Sequence, residues 1–74
     1  MINRDDLLKT IAEFNNVSKK YGKPTRVTYD EKTNMVIMTS IEFSDFREEK
    51  TPEGFYAALR CSGWEYIPEE DKRN

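Results

Sequence analysis

Two runs rich in β-branched and aromatic residues, Thr25-Arg26-Val27-Thr28-Tyr29 and Met35 to Phe43, flank the polar stretch Asp30-Glu31-Lys32-Thr33-Asn34. Such residues favour pleated backbone. Asp bonds the backbone ahead of it, and Asn tolerates positive φ. The pattern predicts a β-hairpin with a short loop. If residues 31–34 form a four-residue loop, Asp30 opposes Met35 and Tyr29 opposes Val36. One face then holds Val27, Tyr29, Val36 and Met38. The other holds Ile37, Ile41 and Phe43 beside Arg26 and Thr28. A slip of one residue would instead gather Val27, Tyr29, Met35, Ile37 and Ile41 on a single face. The first register is preferred because it puts Asn34 at the last loop position. A sheet apolar on both faces has to be covered on both, by helices or by another chain.

The segments around the hairpin read as helices. Asn3 is a natural N-cap, and Asp5 and Asp6 in the first turn suit the positive end of the helix dipole. Leu7, Ile11, Phe14 and Tyr21 recur at helical spacing, widened by Leu8 and Val17. Lys19 and Lys20 fall in the last turn, Gly22 suits a left-handed stop, and Pro24 prevents resumption. A helix is predicted over residues 3–21. Thr51-Pro52-Glu53 is a second helix start, with Thr as N-cap and Pro at the first position. That helix carries Phe55, Tyr56, Ala58, Leu59 and Cys61 inward and ends at Gly63. Ser44 to Lys50 reads as a charged loop or frayed strand extension. Trp64-Glu65-Tyr66-Ile67 alternates and reads as a short third strand, stopped by Pro68. The expected fold is α+β, in the order α-β-β-α-β, with one small domain over residues 1–68 and a polar tail over 69–74.

Composition narrows the function. A single cysteine, Cys61, cannot staple the fold, and Asp5 and Asp6 stand where a secretory leader would be basic. No apolar run approaches the roughly 18–20 residues that span a bilayer. The expected compartment is therefore the cytoplasm. The net charge is −2, unevenly spread: residues 1–37 carry seven basic and five acidic side chains, residues 38–74 five basic and nine acidic. This hints at a two-sided surface.

Catalysis finds little purchase. The chain has no histidine, which removes the usual base near neutral pH and the Ser-His and Cys-His pairs. Cys61 sits near a helix C-terminus, whose negative end disfavours thiolate, so a packed small residue is expected there. Asp45, Glu48, Glu49 and Glu53 lie close in sequence, but Arg47 and Lys50 interleave them, as in a solvated charged loop. The three glycines are too far apart to cradle a phosphate. No catalytic residue, cofactor or metal is expected.

The large side chains point instead to binding. Met38, Phe46, Tyr56, Trp64 and Tyr66 are too many to bury easily in so small a fold, and large aromatics commonly anchor interfaces. With Glu48 and Glu49 they form the expected protein-binding set, with at least two of the five large residues exposed. Each alone reads more simply as core. Self-association is the simplest use of such a surface, so a homodimer is one form the partner takes. The competing class is a nucleic-acid binder in which Lys19, Lys20, Lys23 and Arg26 hold phosphate and Tyr21 stacks a base. The blander reading of Lys19 and Lys20 is complementation of the helix C-terminus. A further reading makes Glu42, Asp45, Glu48, Glu49 and Glu53 surrogates for phosphates, although such mimics are usually far more acidic.

Residues 28–33 and 35–40 resemble a hairpin of phage uracil-DNA glycosylase inhibitors. The acidic edge strand of those inhibitors has no counterpart here, and no residue is carried over. The resemblance implies the class of small inhibitory or regulatory partners, as in a phage or mobile-element accessory protein.

Overall fold

A computed structural model describes residues 2–64. Five elements follow in the order α-β-β-β-α: α1 (Arg4–Lys20), β1 (Thr25–Asp30), β2 (Met35–Ser40), β3 (Arg47–Lys50) and α2 (Pro52–Cys61). The class is α+β, as the sequence implies, but the third strand is not the expected one. Arg47–Lys50 pairs antiparallel with β2, giving the sheet order β1-β2-β3. Trp64 lies outside any strand, and Glu65, Tyr66 and Ile67 lie outside the described residues.

Both helices start and stop on local chemistry. The Asn3 side chain accepts the Asp5 and Asp6 amides at 2.8 and 3.1 Å. The Thr51 hydroxyl accepts the Gly54 amide at 3.1 Å, with Pro52 in the first turn. At the other ends, the Lys23 amide donates to the Ser18 carbonyl and the Trp64 amide to the Leu59 carbonyl. Each bond reaches back five residues around a glycine of positive φ, Gly22 at 67° and Gly63 at 85°. This is the Schellman stop, in which a residue with a Cβ would be strained.

The hairpin adopts the preferred register: Asp30 opposes Met35, Tyr29 opposes Val36 and Val27 opposes Met38. Asn34 has φ 56°, and its side-chain oxygen accepts the Tyr29 hydroxyl at 2.6 Å. The face bearing Val27 and Val36 packs against both helices. There Leu7 and Ile11 of α1 meet Phe55, Tyr56 and Leu59 of α2 in one core, flanked by Phe14, Tyr29, Met38 and Trp64. The molecule thus has two layers. The opposite sheet face, with Arg26, Thr28, Ile37, Thr39, Arg47 and Glu49, is covered by no described element. No described helix covers this face, and β2 stops at Ser40, so Ile41 and Phe43 leave the sheet. Ile37 is buried even so, between its register partners Thr28 and Glu49 on the central strand.

β1 is an outer strand, and α1 reaches over to it. The Asn15 amide donates to the Val27 carbonyl at 2.8 Å and accepts the Val27 amide at 2.9 Å. A side chain thus occupies a backbone donor and acceptor that would otherwise invite a further strand.

Several helix positions depart from the sequence reading. Tyr21 and Leu8, expected on the inner stripe of α1, are exposed, while Thr10 and Ser18 are buried. The Thr10 hydroxyl donates to the Asp6 carbonyl at 2.9 Å, which lets a polar side chain face inward. Tyr21 is the helix C-cap, where the backbone has already left helical geometry. Cys61, expected to be packed, is exposed in the last turn of α2.

Candidate interaction surface

The β2–β3 connection is short, ordered by its own hydrogen bonds, and apolar where it meets solvent. The Ser40 hydroxyl accepts the Glu42 and Phe43 amides at 3.1 and 3.2 Å, which bends the chain off β2. The Ile41 amide donates to the Pro24 carbonyl at 3.0 Å, tying the bend to the chain entering β1. The Phe46 amide then donates to the Phe43 carbonyl at 3.0 Å. That bond closes a four-residue turn, so Phe43 and Phe46 stand at its two ends, close together. Ile41 is 69% exposed, Phe43 63% and Phe46 42%. Three large apolar side chains this open to solvent add little to the packing of the core.

Charge surrounds it. Glu42 and Asp45 belong to the same connection, are exposed, and take part in no ion pair among the described residues. Across the Pro24–Ile41 bond lies the α1–β1 turn with Lys19, Lys20 and Lys23, all exposed. Tyr21 among them is 65% exposed, and the Lys20 ammonium lies 5.6 Å from its ring centroid. One end of the molecule therefore sets a basic turn beside an acidic one, with exposed apolar side chains in both.

The structure distributes the sequence-derived candidates unevenly. Of the protein-binding set, Phe46 lies in this projection. Tyr56 is a core residue, fully buried, and is corrected on that ground. Met38 and Trp64 are half-buried and packed against the core; Trp64 tilts onto Phe14 with ring centroids 5.6 Å apart. Tyr66 lies outside the described residues. Glu48 and Glu49 are exposed on β3 but engaged locally, Glu49 with Arg47 at 3.1 Å and Glu48 with Lys50 at 3.6 Å. Of the basic set, Arg26 separates from the rest. Its guanidinium donates to the Lys23 and Thr25 carbonyls at 2.7 and 2.9 Å and so holds the turn. Ile41 and Phe43 were expected in a strand, and their exposure is the feature the sequence reading missed. The Ser40-Ile41-Glu42 step was the available signal, because a hydroxyl there can bend the chain out of the sheet.

The far end of the sheet offers less. Arg4 donates to Glu31 at 2.8 Å. This hydrogen bond, and then the charge of Arg4, hold the Glu31 carboxyl below its ordinary value, while Glu31 raises Arg4 in turn. Among the described residues no three acidic or cysteine side chains converge as a metal site requires, and no helix is long and apolar enough to cross a membrane.

Comparison with family models, with curated proteins and with solved structures finds no match to this chain. The resemblance to glycosylase inhibitors therefore rests on the hairpin segment alone.

Proposed function

We propose that this domain is a non-enzymatic protein-recognition module and that it binds through the β2–β3 connection. The observation that carries this reading is the exposure of Ile41, Phe43 and Phe46 on a backbone fixed by four hydrogen bonds. Large apolar side chains in a fixed loop lose little conformational freedom on binding, so most of their burial contributes to affinity. Three such residues within six positions supply the central anchor of a small interface, and Glu42 and Asp45 supply its polar rim. A role as inhibitor or regulator of its partner is the class that the hairpin resemblance over residues 28–40 implies.

The test is capture of a partner by the tagged domain, with three versions compared after nuclease treatment. Phe43→Ser/Phe46→Ser should lose the partner, because truncating central anchors costs about 2 kcal/mol or more. Lys19→Gln/Lys20→Gln/Lys23→Gln should weaken capture less than this pair does, because it leaves the apolar anchor in place. The opposite pattern, with binding that falls steeply as salt rises, would establish the nucleic-acid reading instead. Tyr21, open to solvent among three lysines, is the observation that keeps that reading in play.

A further inference from the structure

The two turns at one end of the molecule carry opposite charge, and each bears exposed large side chains. Lys19, Lys20 and Lys23 lie on the α1–β1 side, Glu42 and Asp45 on the β2–β3 side, and the 3.0 Å bond from the Ile41 amide to the Pro24 carbonyl is the seam between them. Tyr21 stands in the basic half; Ile41, Phe43 and Phe46 stand in the acidic half. None of the five charged side chains is engaged in an ion pair among the described residues. A two-fold axis exchanges identical patches, so an isologous contact is favourable only where the patch complements itself. This patch does. With the axis near the seam, the lysines of one copy meet the carboxylates of the other while the apolar side chains of both close together between them.

We infer that the occupant of this surface is a second copy of the same chain, and that the domain forms a two-fold homodimer across the seam between its basic and acidic turns. The inference rests on the recognition reading above and names its partner. Charge complementarity selects this occupant. A foreign acidic partner would meet Glu42 and Asp45, and a foreign basic one would meet the lysines, whereas a rotated copy satisfies both halves at once. A nucleic-acid backbone on the same surface would meet Glu42 and Asp45 beside the lysines, which disfavours it.

The mass in solution tests this directly. By light scattering or sedimentation at low salt, the chain should move from 8.8 kDa toward twice that value as concentration rises through the range of a small, partly polar interface, roughly 1 µM to 1 mM. Added salt should shift the equilibrium back toward monomer. Two charge-reversed variants then separate this contact from any other. Lys19→Glu/Lys20→Glu/Lys23→Glu makes the whole patch acidic, and Glu42→Lys/Asp45→Lys makes it basic. Each should be monomeric alone, and an equimolar mixture should form the heterodimer. Phe43→Ser/Phe46→Ser leaves every charge in place and should also be monomeric. All substituted positions are exposed, and circular dichroism establishes that each variant is folded. A wild-type chain that stays monomeric throughout overturns the proposal. So does a dimer indifferent to the reversals, or a mixture that fails to associate. If the wild-type chain is monomeric and Phe43→Ser/Phe46→Ser still loses a foreign protein, the dimer is refuted and the recognition reading stands.

Discussion

Replacing Asn15 with Ala strips the outer edge of β1 of the side chain that clamps its middle. The amide makes two bonds to the backbone of Val27, at 2.8 and 2.9 Å, both partly buried under α1. A hydrogen bond contributes about 0.5–1.5 kcal/mol net, toward the upper end where the bared partners regain water poorly. The pair is therefore worth about 2–3 kcal/mol. Asparagine is also a poorer helix former than alanine by about 0.5 kcal/mol, which offsets part of the loss. Asn16→Ala, one position on and exposed, gains the same helical term without touching the sheet, so it is the reference. A domain of this size is stable by about 4–11 kcal/mol in all. Relative to Asn16→Ala, the Asn15→Ala midpoint should fall by about 8–24 °C, at roughly 4–8 °C per kcal/mol. Urea titration with unchanged slope would show that the loss is one of stability and not of compactness. Asn15→Asp should be no better than Ala, since a carboxylate keeps the acceptor but faces the Val27 carbonyl without a donor. If Asn15→Ala and Asn16→Ala melt within about 0.5 kcal/mol of one another, the clamp contributes nothing and the reasoning fails.

Other perturbations follow from the same contacts. Thr51→Ala should cost about 1 kcal/mol by removing the N-cap of α2, and Thr51→Ser should restore most of it; chemical denaturation reads both. Asn34→Gly should keep the hairpin register, because the 56° φ is met freely, whereas Asn34→Val should destabilise the turn; cross-strand NOEs between Tyr29 and Val36 report which occurs. Glu31 should titrate below an ordinary glutamate, and Arg4→Gln should return it toward that value in a carboxyl NMR titration. Because the folded value is the lower one, the stabilisation is present above the unfolded carboxyl range and is lost as pH falls through the folded value. The pair is solvent-exposed, so the effect on melting should be small and should vanish in salt.

Local chemistry made most of the architecture legible. Asn3, Gly22, Thr51, Pro52 and Gly63 punctuate both helices where the structure has them, and Asn34 sets the hairpin register. β3 was not legible because Arg47-Glu48-Glu49-Lys50 has no apolar alternation; an outer strand buries little on either face, and charge there protects the edge. Ile41 and Phe43, in the connection before it, were obscured for a related reason. Read as strand, Ile41 and Phe43 share a face with Ile37. Only the Ser40 hydroxyl bonding ahead to residues 42 and 43 turns them into a projection. Tyr56 served two roles in the sequence reading, inward residue and binding candidate, because periodicity alone does not say how much of a helix its neighbours enclose.

That enclosure has a consequence for how the molecule comes apart. Phe55 and Tyr56 are consecutive, about 100° apart around α2, and both are completely shielded, as is most of Leu59. Phe55 meets Phe14 of α1 edge-on, at 6.1 Å between ring centroids, and α2 also rests on β2 and β3. A helix gripped on two sides has no separate opening of its own: lifting it away floods the centre of the domain. The amide protons near Phe55–Leu59 should therefore exchange with the same free energy as those of the central strand. A protease directed at this helix should cut only chains that have lost the fold altogether.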